Sequence, residues 1–422
     1  MRVGGNSNPF IRLRQIAKQM SEESVQKKFI IYFCIIGCFA IFSTTIAKNP
    51  VLPLFAASLG ANDAYLGVIA AVSPLAGILF SFPIGVISDK LGRRKLLIAS
   101  GCVFLTAPLL YLLITDPIVL IPVRFFHGLA TAILGPVVGA IIAEKFGNRK
   151  GVMMGTYSSA TLAGRTAAPL AGGFILTLFA LAPGNTAYHM VYLAAFCAAI
   201  PVVILILFFH DANGGVKKVT IADFTKSLKA FLSNKGLRAA SIAEMITYFC
   251  FGTFETFLPV YLLFIGVPAW QTGIIFAVQV VIIALTKPFF GKKADLGDPQ
   301  KQIALGMLIT GLSLGAMGLA ADFWILLALS CIFGIGMSLS TVATNVFAAD
   351  TAEKNELGAS LGALSSIMDI GHASGPLVCG MVITFAGYQT GFGLCLLLSV
   401  FATVFVLITG RKKGEKREDQ LR

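Results

Sequence analysis

The stretch Pro83–Lys95, PIGVISDKLGRRK, is a short charged turn between two long apolar runs. Gly85 and Gly92 allow the chain to reverse there, Asp89 lies between them, and the basic cluster 93–95 follows. The flanking runs are predicted to be membrane helices that emerge on one face, and the basic cluster favours the cytoplasmic side for that face. Asp89 is short, so we expect it to serve a nearby partner such as an arginine or a helix N-terminus.

The composition excludes an ordinary soluble domain. The chain has 422 residues, of which 56% are hydrophobic and 13% are charged, and its mean hydropathy is +0.84. Its eight cysteines all fall in apolar runs and form no C-x-x-C pair, so they are predicted to be packing residues. We expect no metal site and no cofactor.

Twelve apolar segments are long enough to cross a bilayer. A spanning segment must pair its backbone groups internally, and the alternation of a barrel is absent, so the segments are predicted to be helices. The predicted fold is an all-α integral membrane protein with twelve transmembrane helices. We number these helices spans 1 to 12: 29–58, 64–88, 94–115, 118–143, 151–181, 188–209, 239–265, 270–291, 301–321, 323–348, 357–386 and 388–409.

The basic residues are distributed unevenly over the loops. Most of the 33 Lys and Arg residues lie in the two tails and in the loops that follow the even-numbered spans. The opposite loops carry none, which predicts that both termini are cytoplasmic. The same asymmetry explains the net charge of +13 without a nucleic-acid partner. The predicted location is the cell inner (plasma) membrane, or a membrane derived from it.

The chain repeats itself. Shifted by 206 residues, Pro53 and Gly60 fall on Pro259 and Gly266. Chance apolar similarity would not keep glycines and prolines in register over a whole half, so two pseudo-symmetric six-helix halves are predicted. Further pairs at shifts of 206 or 207 are Gly85–Gly291, Asp89–Asp295, Gly128–Gly334, Gly155–Gly362, Gly164–Gly371, Pro169–Pro376 and Gly173–Gly380.

The repeat and the charge pattern together predict a domain organisation. Two like halves with a site between them at the midplane are typical of a rocking transporter. The predicted divisions are a cytoplasmic N-terminal tail 1–28, a first half 29–209, a basic cytoplasmic linker 210–238, a second half 239–410 and a basic cytoplasmic tail 411–422.

The spacing G-x-x-x-D-x-x-G-R-R-K after span 2 resembles the loop between helices 2 and 3 of the major facilitator superfamily. The resemblance implies a cytoplasmic gate, in which this loop pairs with an acid and an arginine at the turn between spans 4 and 5. Asp89 is also expected to face the N-terminus of span 11 near Gly358. The implied gate residues are Gly85, Asp89, Gly92, Arg93, Arg94, Glu144 and Arg149.

Two further segments resemble the same family. Span 4 reads RFFHGLA from Arg124, similar to the family's helix-4 arginine motif, with His127 where a glutamine is usual. Span 5 reads GRTAAPLAGG and resembles the signature of drug/proton antiporters, with Ala168 in place of a glycine. Span 11 repeats it as GHASGPLVCG, so the motif indicates either an antiporter or hinge packing inherited by duplication. The expected hinge residues are Gly164, Pro169, Gly173, Gly371, Pro376 and Gly380.

Charged residues inside the spans are candidates for a functional site. Intramembrane charge costs about 2.5–3.5 kcal/mol per residue on insertion scales and normally faces a partner or a cavity. Asn49 is the repeat counterpart of Glu255, so Lys48 and Glu255 are predicted to pair across the cavity. Lys287 and Glu244 lie nearer the cytoplasmic ends and either function or snorkel. The expected substrate and proton-coupling residues are Lys48, Asn49, Arg124, His127, Arg165, Glu255, Asp369 and His372.

The two intramembrane histidines leave alternatives open. His127 and His372 either shuttle protons or pack as neutral side chains, since imidazole titrates near neutral pH. His372 and Asp369 are three residues apart and are expected to be able to touch.

Three functions are compatible with these residues. The first is a proton-coupled antiporter of small organic compounds that works by alternating access, with Glu255 as the coupling acid and Asp369 as a relay. The second is a transporter or importer of an anionic metabolite or of a metal ion or chelate. The third is a non-transporting sensor or scaffold. An enzyme is not expected, because no nucleophile triad, metal-ligand spacing or P-loop is present. The expected partners are a small solute or ion, protons and the lipid bilayer. The protein is expected to be a monomer.

Overall fold

The computed structural model describes residues 9–210, 235–351 and 357–410. Most of the predicted linker 210–238 and the whole predicted tail 411–422 lie outside this description, so both stay predictions. A helix forms most of every predicted span within the described ranges. The helices of the first half are Pro9–Ile46 and Val51–Ser58 (both span 1), Asp63–Leu91, Arg93–Tyr111, Leu120–Phe146, Lys150–Leu178 and Thr186–Phe208 (spans 2 to 6).

The second half is built in the same way. Its last helix contains both span 11 and span 12, which meet at the non-helical Gly387 (φ 79°). The helices are Lys235–Phe264, Ala269–Leu296, Pro299–Met317, Phe323–Thr351 and Leu357–Gly410.

Length and apolar composition identify most of these helices as candidate membrane helices, although Lys150–Leu178 and Pro299–Met317 are not among them. Nine stretches of the described chain are long and apolar enough to cross a bilayer, and one of them, 364–408, contains spans 11 and 12 together. This confirms the predicted all-α membrane class.

The predicted bounds of span 1 agree with the candidate membrane stretch 26–58, but the helix within that stretch is interrupted. The first helix begins at Pro9, before the apolar run, and ends at Ile46. A turn over 47–50 separates it from Val51–Ser58. Pro50 cannot donate a backbone hydrogen bond and disfavours a helical conformation in the residue before it, so Asn49 leaves the helix. Sequence periodicity treated this apolar stretch as continuous and missed the break.

Helix packing inside the two halves follows the sequence repeat. Gly164 of span 5 lies against the backbone carbonyl of Cys38 in span 1, so closely that a side chain would collide with it. Gly371 of span 11 lies in the same way against the carbonyl of Met245 in span 7. Both partners are related by the shift of 207. Two halves with one packing scheme are therefore present, as predicted.

The halves contact each other near the turns at Gly60, Gly184, Gly266 and Gly387, which we name the distal face. Pro169 of span 5 packs on Gly273 of span 8, where a Cβ on the glycine would lie 2.5 Å from the Pro169 carbonyl oxygen. Glycine at such a crossing lets two backbones approach closely. The repeat counterparts form the matching contact between span 11 and span 2, Pro376 on Gly67.

Hydrogen bonds at the distal face obey the same symmetry. The backbone N–H of Trp270 donates to Thr177 Oγ1 at 3.1 Å, and the backbone N–H of Ala64 donates to Thr384 Oγ1 at 2.8 Å. The hydroxyl of Tyr388 adds a bond of 3.0 Å to the Asp63 carboxylate. Two matching helix pairs, spans 5 and 8 and spans 2 and 11, therefore close the distal face.

Candidate functional site

Glu255 is the centre of a polar cluster that joins the two halves. Lys48 Nζ donates to its Oε2 at 2.6 Å and Asn49 Nδ2 donates to its Oε1 at 2.6 Å. His372 Nε2 lies 2.8 Å from Oε2 and 3.4 Å from Lys48 Nζ. Spans 1, 7 and 11 thus converge on one carboxylate, and the structure brings Lys48 and Glu255 together as the repeat predicts.

The repeat locates this carboxylate on the pseudo-symmetry axis. Asn49 and Glu255 are counterparts at a shift of 206, and they contact each other directly. Two equivalent positions can touch only where the axis that relates them passes close to both. Any rocking of one half against the other therefore acts on the Glu255 contacts.

The break in span 1 positions the two first-half donors. The backbone N–H groups of Lys48 and Asn49 both bond to Thr45 O, at 3.0 and 2.8 Å, so the last turn tightens where the first helix ends. An interrupted helix at membrane depth is tolerated where it lines a site or is buried in protein. Here it directs adjacent side chains to the same carboxylate, which a regular helix would separate by about 100°.

The cluster is shielded but accessible. The exposed fractions of the side chains are 20% for Lys48, 17% for His372 and 9% for Glu255. The His372 ring packs against Phe251, with centroids 5.6 Å apart. At 2.8 Å the imidazole and the carboxylate can exchange one proton directly, and Lys48 can hold the carboxylate when that proton leaves. The arrangement therefore allows a proton to pass between the imidazole and the carboxylate.

The side chains of Asp369 and His372 point towards different helices. Asp369 is half-buried, and its carboxylate lies 3.4 Å from the position of a Cβ on Gly77 in span 2. His372 bonds to Glu255 across the interface with span 7. The described contacts thus do not include the Asp369–His372 pair that the spacing allows. Asp369 lies at the contact of the two halves and not in the Glu255 cluster.

Arg124 and His127 lie inside the first half, and only 3% and 2% of their surfaces are exposed. Tyr111 Oη lies 3.4 Å from His127 Nδ1 and also interacts with the Arg124 guanidinium. The Tyr111 ring stacks on Tyr192 at 4.4 Å, almost parallel. Among the described residues, Arg124 Nε, His127 Nε2 and Tyr192 Oη have no hydrogen-bond partner. The Arg124 charge of this buried cluster repels the charge of Lys48 in the same half.

Glu244 and Lys287 form a third group on the side of Glu255 away from the distal face, and Arg165 lies between this group and the Glu255 cluster. Glu244 is buried, with 3% of its surface exposed, so it does not snorkel. It interacts with the Thr344 hydroxyl and with the charge of Lys287. Lys287 and Arg165 are both exposed, and their positive charges repel each other across the two halves.

One part of the predicted gate is present in the described chain. The Arg93 guanidinium contacts the Glu144 carboxylate, which ties the start of span 3 to the end of span 4. Arg94 donates to the backbone carbonyl of Leu207 at 3.1 Å. Gly92 occupies the turn with φ 85°, a conformation that favours glycine. Arg149 is exposed. The side chain of Asp89 lies outside the described residues, so its gate partners stay a prediction.

We expect Glu144→Gln to lower the transport rate at least about fivefold, because only 5% of the Arg93 side chain is exposed and its pair contributes about 1 kcal/mol or more. Initial uptake rates in proteoliposomes measure the effect. The exchanged pair Arg93→Glu with Glu144→Arg should regain part of the rate. Lys301→Gln is the matched control, since it breaks an exposed pair with Asp298 away from this gate. An unchanged rate in Glu144→Gln would contradict the gate.

Several site residues escaped sequence analysis. Tyr111 and Tyr192 lie in apolar runs, and nothing in their spacing indicated a stacked pair beside Arg124. Thr177 and Thr384 were detectable in principle, because they are related by the same shift of 207 as the neighbouring glycines. Tyr388 and Asp63 lie at the ends of distant spans, and only the tertiary structure brings them together.

Comparison with known proteins identifies the family. The model of the Major Facilitator Superfamily matches residues 30–303 and 266–422. The chain is 23% identical to the multidrug resistance protein MdtG of Serratia proteamaculans over 92% of this chain and 95% of that protein. It is also 23% identical to the quinolone resistance protein NorA of Staphylococcus aureus, over 93% and 99% respectively.

A solved structure shares the fold. It is a bacterial homologue of the human lysosomal transporter Spinster in an inward-facing and occupied conformation. Its TM-score is 0.73 at 14% identity, over 92% of this chain and 97% of that one. With the family model spanning both repeated halves, the chain belongs to the Major Facilitator Superfamily of membrane transporters.

Proposed function

We propose that this transporter is a proton-coupled antiporter that exports a small organic compound. The observation that carries the proposal is the carboxylate of Glu255, held on the pseudo-symmetry axis by donors from both halves. A proton bound at this position changes the contacts between the halves, which is the requirement for coupling proton binding to rocking. The names of the relatives MdtG and NorA, both called resistance proteins, support export.

In the proposed cycle the proton and the substrate use Glu255 alternately. With the carboxylate charged, Lys48 and Asn49 of the first half hold Glu255 of the second half, and the two halves stay together at this point. When Glu255 takes up a proton, the ion pair with Lys48 is lost and the halves can separate here. His372 lies within hydrogen-bond distance of the same oxygen and delivers or accepts that proton. Asp369, at the contact with span 2, is proposed as a relay or second proton site.

The proposal includes an orientation. The distal face points out of the cell, both termini are cytoplasmic, and the protein works as a monomer in the inner membrane. The charge asymmetry of the loops supports this orientation. In the structure the distal face is closed by the contacts of spans 5 with 8 and 2 with 11. This arrangement corresponds to a state in which the site is reached from the cytoplasmic side.

Transport by purified protein in proteoliposomes tests this function. A fluorescent quinolone serves as the probe, because one relative is named for quinolone resistance. With an acidic interior, the antiporter should accumulate the probe while a trapped pH-sensitive dye reports alkalinisation. A protonophore added first should collapse the pH gradient, so that adding the probe causes neither accumulation nor further alkalinisation, and liposomes without protein correct for passive partition. Accumulation that resists the protonophore, or that requires an acidic exterior, would overturn proton antiport.

A further inference from the structure

Arg165 points into the region between the two halves. It lies four residues before Pro169 and eight before Gly173, so it continues the helix face of span 5 that packs on span 8. Its positive charge repels the charge of Lys48 in its own half and those of Lys287 and protonated His372 in the other half. An exposed side chain with these neighbours lies in accessible space between the halves and not on the lipid surface.

Helix direction brings Lys287 towards Arg165. The Cα–Cβ bonds of a helix tilt towards its N-terminus. Spans 5 and 8 run in opposite directions, with Pro169 and Gly273 at their crossing. Arg165 therefore extends away from the distal face, Lys287 extends towards it, and their charges interact. Each half contributes one cation.

The nearby carboxylates have other partners. Glu255 is bound by Lys48, Asn49 and His372. Glu244 influences Lys287, but it is buried and also interacts with Thr344. Within the described part of the chain, neither Arg165 nor Lys287 forms an ion pair within 4.0 Å. Two cations that repel each other across the halves, neither of them in an ion pair within the described chain, favour binding of an anion near both.

We propose that Arg165 and Lys287 bind the carboxylate or phosphate of a small organic anion, and that this anion is the substrate class of the transporter. The inference rests on the proposed transport function and adds the charge of the cargo. A guanidinium binds either group through two parallel N–H bonds, and the ammonium adds a point charge from the other half. Tyr248 is half-buried near Arg165, and its ring packs on Phe251. The Tyr248 ring provides a surface for the apolar body of the ligand.

The anion also has a mechanical role. Arg165 and Lys287 repel each other, so bringing spans 5 and 8 together near them is unfavourable while the site is empty. An anion between them removes this repulsion and favours closure around the ligand. The closing motion therefore favours a negatively charged substrate over a neutral or cationic one.

Equilibrium binding tests the proposal without a gradient. The probes are 1-naphthoate, 1-naphthyl phosphate, neutral 1-naphthalenemethanol and cationic 1-naphthylmethylammonium, each titrated into protein in zwitterionic nanodiscs. The two anions should bind at least about tenfold more tightly than the neutral and cationic probes, because charge-assisted hydrogen bonds contribute about that factor or more. The stronger of the two anions identifies the headgroup.

Variants separate this site from the rest of the protein. Arg165→Gln and Lys287→Gln should each weaken anion binding about tenfold, Arg165→Lys should retain part of it, and Lys301→Gln should leave it unchanged. Equal affinity for all four probes, or full affinity in Arg165→Gln, overturns the proposal. If phosphatidylglycerol in the nanodiscs abolishes probe binding, the pair binds a lipid headgroup and the solute proposal fails. Proton-driven quinolone transport without anion preference would leave the proposed function standing.

Discussion

The Glu255→Gln protein should lose pH-gradient-driven accumulation completely while it still exchanges or binds substrate. Glutamine keeps the size of the side chain but cannot take up a proton at the position that joins the halves. It also leaves the charge of Lys48 without its carboxylate, at a cost of about 3–5 kcal/mol for a buried pair. Accumulation in proteoliposomes measures coupling, counterflow measures exchange, and thermal unfolding measures the structural cost.

A double variant separates coupling from structure. Lys48→Gln combined with Glu255→Gln removes both charges, so the unfolding temperature should recover towards that of the wild type. Coupling should not recover, because no protonatable carboxylate is present. Glu244→Gln is the matched control, since Glu244 lies on the same helix and is equally buried but makes no described contact with the first half. If the double variant concentrates substrate against a gradient, coupling belongs elsewhere and Asp369 becomes the first candidate.

Gly67→Ala should keep the distal face from closing and reduce transport at least about tenfold. The added methyl would collide with the backbone carbonyl of Pro376, and a carbonyl within a helix cannot move aside as a flexible side chain can. The variant Ala64→Cys with Thr384→Cys reports closure, because the Ala64 N–H bonds to Thr384 at 2.8 Å. Its disulfide yield should fall sharply when Gly67→Ala is added.

The control is a glycine-to-alanine substitution at a position where the added methyl group has no neighbour. A Cβ on Gly135 of span 4 meets nothing within 4 Å, so Gly135→Ala should transport and cross-link normally. Gly273→Ala, at the counterpart crossing of spans 5 and 8, should act like Gly67→Ala. A normal cross-linking yield in both crossing variants would show that the glycines are not needed for closure.

Much of the fold follows from the sequence, because membrane helices are set by local composition. Apolar length defines the spans, and the register of Gly60 with Gly266 or Gly164 with Gly371 defines the halves. The structure shows the repeat at the level of single contacts, where Gly128 meets Ser73 as Gly334 meets Gln279. The break after Ile46 was missed, because two prolines in an apolar run leave hydropathy unchanged while they remove the helical hydrogen bonds.

The candidate site was predictable only where symmetry supplied long-range information. The shift of 206 placed Asn49 opposite Glu255 and so brought Lys48 to the same carboxylate. The repeat does not predict the direction in which a side chain points. Spacing allowed Asp369 to touch His372, but the rotation of span 11 directs one to span 2 and the other to span 7. The burial of Arg124 behind Tyr111 likewise depends on packing within the first half.

The pairing of Lys48 with Glu255 has an electrical consequence. While both are charged, the pair carries no net charge, so the membrane potential does no work on it when the halves rock. Once Glu255 is protonated, Lys48 carries one uncompensated positive charge, and each charge that crosses the full field gains or loses about 2.3 kcal/mol per 100 mV. In the proposed cycle, an interior-negative voltage therefore biases the proton-loaded carrier towards the cytoplasm, and the charged Lys48–Glu255 pair itself adds no voltage dependence to the substrate-loaded return step.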